Sequence, residues 1–177
     1  MYSEEKVFKK MVERRRDFHR YPETGWAEFR TTSKIAETLT DVGMNIRFAG
    51  EFVEMEHVLG RNADIEAQIG RAVSQGASPE IIEKMKGLTG LTAEIDTGRP
   101  GPVTAIRFDI DCVDTTETEG STHLPRQLGF NSVNPNCMHA CAHDGHTAVG
   151  MTLAEELFSE KSSLKGKVCF IFQPAEE

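Results

Sequence analysis

Val103-Thr104-Ala105-Ile106-Arg107-Phe108-Asp109-Ile110 is the stretch on which the fold turns. It is short and rich in β-formers, as a strand should be. Downstream, residues 146–158 carry helical character, and Lys167-Val168-Cys169-Phe170-Ile171-Phe172 reads as a buried strand. Strand, helix, strand in that order predicts a crossover unit and a partly parallel sheet, hence an α/β fold. A further β-rich run, residues 91–95, is joined to the first by Asp96-Thr97-Gly98-Arg99-Pro100-Gly101-Pro102. That connection has turn chemistry throughout and predicts a hairpin.

Working outward, residues 4–20 read as a helix whose basic end (Arg14, Arg15, Arg16, Arg20) complements a helix C-terminus. Tyr21-Pro22-Glu23-Thr24-Gly25 breaks it. Residues 27–42 form a second helix, with an apolar stripe at Phe29, Ile35, Ala36 and Leu39 and Gly43 as C-cap. Residues 45–49 predict a short strand. Residues 51–86 are polar and helix-rich: Ile65, Ile69 and Val73 recur at helical spacing, and Ser78-Pro79 starts another helix. Residues 112–136 read as loop.

Composition excludes several classes of function. A chain of 177 residues, 38% hydrophobic and 27% charged, suits one globular domain. No run approaches the roughly 18 apolar residues of a membrane helix. The charged N-terminus lacks the apolar core of a signal peptide, so a cytoplasmic protein is expected. A net charge of −8 argues against nucleic acid as a partner. Four cysteines in such a chain do not predict a disulfide framework, and Cys169 reads as an inert core residue.

The chemistry is concentrated at residues 137–146. Cys137, His139, Cys141, His143, Asp144 and His146 are all potential metal ligands. Cys141-Ala142-His143 puts a thiol and an imidazole two residues apart before a helix, where they can converge on one ion. A competing reading pairs Cys137 with Cys141 as half of a zinc knuckle, although a structural zinc wants a second pair. His139 and His146 are candidates to orient ligands, or ordinary hydrogen-bonding groups near a helix start.

Glu176-Glu177 follows the apolar strand, where active-site residues of open α/β sheets sit. Neighbouring side chains of an extended segment point opposite ways. One glutamate can then bind metal while the other acts as general base. Asp109 and Asp111, at another strand end, can orient ligands or hold a ligand histidine's second nitrogen; strand-end turn chemistry is the plainer reading. The chain has no Gly-x-Ser-x-Gly elbow, no phosphate-binding Gly-x4-Gly-Lys-Ser/Thr loop and no His-Glu-x-x-His.

These residues resemble the M20 metallopeptidase superfamily, in its amidohydrolase branch. Arg15-Arg16-Asp17-Phe18-His19-Arg20-Tyr21-Pro22-Glu23-Thr24-Gly25 is similar to the branch's Arg-Arg-x-Phe-His-x-x-Pro-Glu-x-Gly signature. Met138-His139-Ala140-Cys141-Ala142-His143-Asp144-Gly145-His146-Thr147 resembles its Met-His-Ala-Cys-Gly-His-Asp-Gly-His-Thr motif, and Phe172-Gln173-Pro174-Ala175-Glu176-Glu177 its strand-to-acid motif. Residues 51–86 with the 96–102 turn resemble the aminobenzoyl-glutamate hydrolase group within it.

The resemblance implies a three-layer α/β/α sandwich with a mixed sheet. It implies Cys141, His143 and Glu177 as ligands in a two-ion zinc or manganese site, with Glu176 as the base. Asp109, Asp111 and His146 would support the ligands or touch substrate. The substrate would be an N-acyl amino acid of the p-aminobenzoyl-glutamate kind, and the full-length form a homo- or hetero-oligomer. Two positions depart from the pattern. Ala142 replaces a glycine, straining the loop if the site needs positive φ, and Cys112 replaces an alanine. The family continues past the Glu-Glu motif with further ligand histidines and a dimerisation domain. Residues 1–177 are therefore expected to be the N-terminal part of a catalytic domain with a helical insert at 51–86 and an exposed sheet edge. The alternative is a truncated, inactive metal-binding fragment.

Overall fold

The computed structural model describes residues 4–61 and 64–177. Met1–Ser3, and Asn62 and Ala63 inside the expected insert, lie outside it. Asn45–Phe48 (β1), Leu91–Asp96 (β2), Val103–Asp109 (β3) and Lys167–Gln173 (β4) form one mixed sheet in the order β1-β2-β4-β3. β3 and β4 are parallel and joined through a long helix, as the strand–helix–strand order predicts.

The predicted hairpin is not formed. β4 lies between β2 and β3, with Lys167 opposite both Asp96 and Val103. Residues 97–102 are not a tight turn but a strap across the start of β4. Thr97 N and Oγ1 donate to Gly166 O, Gly166 N donates to Arg99 O, and Lys167 N donates to Pro102 O. Gly166 makes this crossing possible: it has φ +77, and a Cβ there would collide with Pro102 O.

The helices are Glu4–Arg20 (α1), Phe29–Asp41 (α2), Ile65–Ser74 (α3), Pro79–Lys84 (α4), Leu124–Gln127 (α5) and His143–Ser159 (α6). The predicted caps of α4 are present: Ser78 Oγ accepts from Ile81 N, and Pro79 starts the helix. α5 is one turn inside the stretch expected as loop. α6 starts three residues earlier than its apolar pattern, at His143.

Leu91, Ala93, Ile95, Phe108, Phe170 and Phe172 share the sheet face that packs under α2 and α6, with Phe29, Ile35, Leu39 and Met151 from those helices. Burying each such large side chain contributes roughly 1.5–3 kcal/mol. α1 lies along α6, tied by Arg14 Nη1 to Glu155 at 2.6 Å and Lys10 to Glu155 at 2.8 Å. The basic end of α1 is thus used for tertiary contacts more than for the helix dipole. Arg16 lies over the Phe130 ring, and Arg20 donates to Gly129 O.

The opposite sheet face carries Thr92, Glu94, Cys169 and Ile171, and no helix covers it among the described residues. The α/β class with a mixed sheet holds, but residues 4–61 and 64–177 supply one helical layer of the sandwich. β4 is accordingly buried on one face only. Cys169 is half-buried beside Arg47, Phe52 and Thr92, not in the core where its apolar neighbours suggested. No helix among the described residues is long and apolar enough to cross a membrane.

Candidate metal centre

Beyond β3 the chain runs on through Ile110, whose N–H donates to Gln173 O, and Cys112, whose N–H donates to Glu23 O. Asp111, fully buried between them, becomes a post at the carboxyl ends of β3 and β4. Two loops meet there. One, ending at Ala142, starts α6; the other follows β4.

Cys141, His143 and Glu177 each offer a ligand atom, and these atoms lie within 4.8 Å of one another. His143 Nδ1 faces two acceptors, Asp111 O at 3.1 Å and Asp111 Oδ1 at 3.2 Å. Nδ1 must then carry the proton, which leaves the Nε2 lone pair free for a cation. The other Asp111 oxygen, Oδ2, accepts from Glu177 N at 2.9 Å. One buried carboxylate therefore orients parts of both loops. A soft thiol, an imidazole and a carboxylate on a partly exposed rim fit a divalent transition metal. Without a cation the thiolate is disfavoured: the hydrogen bond to Glu177, and then its charge, push the Cys141 thiol up.

Glu176 stands beside this set, with Oε2 3.8 Å from His143 Nε2, while Glu177 Oε1 lies at 4.0 Å. The strict alternation expected of an extended segment is not kept, and both acids flank the same nitrogen. The cause is Ala175, whose φ of 51° kinks the chain just before them. Ala142 is the counterpart in the other loop. It caps α6 in the left-handed conformation, φ 67° and ψ 24°, the strained geometry foreseen for an alanine in place of glycine.

The remaining candidates separate. Asp109 pairs with Arg107 at 3.1 Å, and its backbone N–H donates to His146 Nδ1 at 3.1 Å; the two form a neighbouring pair outside the three-donor set. Cys137 turns inward against Cys112, whose thiol is pushed up by the hydrogen bond it donates to Cys137 and by burial. Among the described residues Cys137 joins no group of three or more ligand atoms, so the zinc-knuckle reading gains no support. His139 is buried, which lowers its pKa to about 4.

Asp144, a candidate ligand by type, points the other way. It is fully buried and its Oδ2 meets His19 Nδ1 at 2.8 Å and Arg15 Nε at 3.3 Å. His19 Nε2 meets Glu117 Oε1 at 2.9 Å, and His123 Nε2 meets the same oxygen at 2.6 Å. Burial alone would lower the His19 pKa, but the hydrogen bonds to Asp144 and Glu117 outweigh it and leave it raised. An imidazolium between two carboxylates thus fixes the start of α6 to α1. Glu117 gave no sequence signal, lying in a stretch that reads as loop; His19 was visible only as part of a signature.

A family model described as Peptidase family M20/M25/M40 matches residues 105–177, the part of the chain that carries both loops. The chain is 44% identical over 169 residues to a homolog of a p-aminobenzoyl-glutamate hydrolase subunit from Haemophilus influenzae, covering 94% of this chain. The chain resembles the M20 peptidase family. Two solved structures of similar form agree. An aminobenzoyl-glutamate utilization protein from Klebsiella pneumoniae superposes with TM-score 0.78 at 32% identity, over 98% of this chain and 38% of its own. A Bacillus subtilis M20 peptidase described as dinuclear metal-binding gives TM-score 0.69 at 32% identity, over 98% and 37%. The chain spans about two fifths of the length of the first curated relatives it matches, 40% in the Haemophilus case.

Proposed function

We propose that this chain carries part of the active site of a metal-dependent amidohydrolase that splits N-acyl amino acids, of the p-aminobenzoyl-glutamate kind, into acid and amino acid. The observation that supports it most is the convergence of Cys141, His143 and Glu177 within 4.8 Å, with the second carboxylate of Glu176 beside them. The substrate class is supported by the names of similar proteins, the chemistry by the donor set.

In this reading Cys141, His143 and Glu177 hold a divalent ion, zinc or manganese, and a second ion completes the site in the protein of the relatives' length. The ions would polarise the amide carbonyl and acidify the attacking water. Glu176 takes the proton from that water and delivers it to the leaving nitrogen, which its place on the exposed rim allows. His143 keeps its Nδ1 proton on Asp111, so its ring stays in one orientation through the cycle. Asp109 and His146 hold each other at the edge of the site, where they can meet substrate. Free thiols such as Cys141 suit a cytoplasmic setting, where they stay reduced.

Because the chain spans two fifths of its relatives, turnover is proposed for a protein of their length. We read residues 1–177 as the N-terminal part of its catalytic domain, with 51–86 inserted. The competing reading is a fragment that binds a cation without turnover. The test is metal content and p-aminobenzoyl-glutamate hydrolysis, for this chain and for a longer form. Glu176→Gln should retain metal and lower turnover at least about 100-fold. Equal turnover in Glu176→Gln and the parent, or a longer form that hydrolyses no N-acyl amino acid, would overturn the proposal.

A further inference from the structure

Glu28 lies at the entrance to α2, fully buried and far in sequence from the metal centre. A buried carboxyl is costly unless both oxygens are satisfied. Both are, by single bonds that reach across the fold. Glu28 Oε2 accepts from Thr89 Oγ1 at 2.5 Å, and Oε1 accepts from Ala175 N at 2.8 Å. Ala175 is the kinked residue that turns the chain out of β4 toward Glu176 and Glu177. Two residues on, Glu177 N is held by Asp111. The segment bearing both acids is thus pinned at alternate N–H groups by two buried carboxyls, one from before α2 and one from beyond β3.

The packing agrees with this. A Cβ at Gly25 would come 3.1 Å from Ala175 Cβ, so the chain entering α2 forms a floor directly under the kink. Thr89 is itself fixed, because the next residue's N–H, that of Gly90, donates to Thr32 Oγ1 at 2.9 Å. A left-handed alanine is unfavourable and persists only where its surroundings over-determine it. The Glu28 bond to Ala175 N is one of those determinants.

We propose that Glu28 is a positioning residue for the metal centre: by holding Ala175 N it sets the kink that brings Glu177 to Cys141 and His143 and sets Glu176 beside them. This rests on the reading of Glu177 as a ligand. It concerns a residue that touches none of the three donors.

The test is titration of the full chain with cobalt(II) alone, followed by absorption. The thiolate-to-cobalt band reports Cys141, and the visible bands report the rest of the coordination. Glu28→Ala should weaken cobalt binding about 10–100-fold. It should also shift the visible bands toward those of Glu177→Ala while the thiolate band persists. Glu28→Gln keeps an oxygen that can accept from Ala175 N, and should bind within about threefold of the parent. Glu28→Asp, too short to span both contacts, should bind as weakly as Glu28→Ala and replaces it if that variant does not fold. Parent-like affinity and spectrum in a folded Glu28→Ala or Glu28→Asp would overturn the proposal, as would a folded Glu28→Gln as weak as Glu28→Ala. Glu177→Ala separates the two levels. If it leaves cobalt binding unchanged, the ligand reading fails and the positioning role falls with it. If it weakens binding and the Glu28 variants do not, the positioning role alone fails.

Discussion

The two loops that meet at Asp111 solve the same problem by different means. Each carries an alanine in left-handed conformation, Ala142 at φ 67° between the donors Cys141 and His143, and Ala175 at φ 51° just before Glu176 and Glu177. The first loop is continuous with a helix and is secured through charged side chains: Asp144, one residue after His143, is clamped by His19, which is held in turn by Glu117. The second has no helix and no charged side chain of its own in an anchoring role. It is secured through backbone N–H groups, Ala175 on Glu28 and Glu177 on Asp111. Glu176 and Glu177 are the only charged side chains of that segment and both face the site, so the main chain is left to serve as anchor.

The two kinds of anchor should fail differently. His19→Ala leaves Asp144 and Glu117 buried without their shared partner, and should cost about 3–5 kcal/mol of stability by urea denaturation. A loss below about 1 kcal/mol would mean that the ionic clamp does not secure the first loop. Asp111→Ala removes the post common to both loops and should weaken cobalt binding by about 100-fold, and by more than Glu28→Ala does in the same titration. If instead it matched Glu28→Ala, the loops would not be coupled through Asp111.

Glu28 gives a pH signature that separates the anchors further. Burial pushes its pKa up to about 8 from 4.5, while Asp111 adds an unfavourable like charge. The folded chain therefore holds a proton that the unfolded chain has released, and stability falls as pH rises through that window. Glu28→Gln carries no such proton. Its stability relative to the parent should rise by about 1–3 kcal/mol between pH 5 and pH 8, followed as thermal midpoints. A gap independent of pH would show that Glu28 is ionised in the fold at all these pH values.

The smallest effects are expected at the kinks. Ala142→Gly and Ala175→Gly relieve left-handed strain at some entropic cost, and each should stabilise by about 1 kcal/mol or less. Destabilisation by Ala142→Gly would mean that the turn into α6 needs a side chain there.

The candidate donors were legible because metal chemistry restricts residue type and spacing. Cys141 and His143 stand two apart before a helix, and Glu176 and Glu177 follow an apolar strand; the structure brings three of the four to one point and the fourth beside it. Asp111 was legible as a carboxylate that could hold a histidine nitrogen, and it lies on His143 Nδ1. Asp109 and His146 were legible as candidates to support ligands or touch substrate, and they pair with each other at the side. The anchors were not legible. Glu28 reaches Ala175 across 147 positions and His19 reaches Asp144 across 125, and no local periodicity encodes such distances.

Local chemistry misled at the 96–102 connection for a related reason. Gly and Pro specify that the chain turns, not whether another strand enters the gap. β4 enters it because Gly166 lets two backbones approach where no Cβ would fit. The sequence alone settled what depends on neighbours along the chain: the four strands, the longer helices, the α4 caps and the α/β class, and it singled out the candidate donors. Tertiary structure alone decided the strand order, the open sheet face that leaves Cys169 half-buried, and the buried acids that aim the donors. Those outcomes depend on desolvation and backbone approach between segments far apart in sequence, which composition and spacing do not carry.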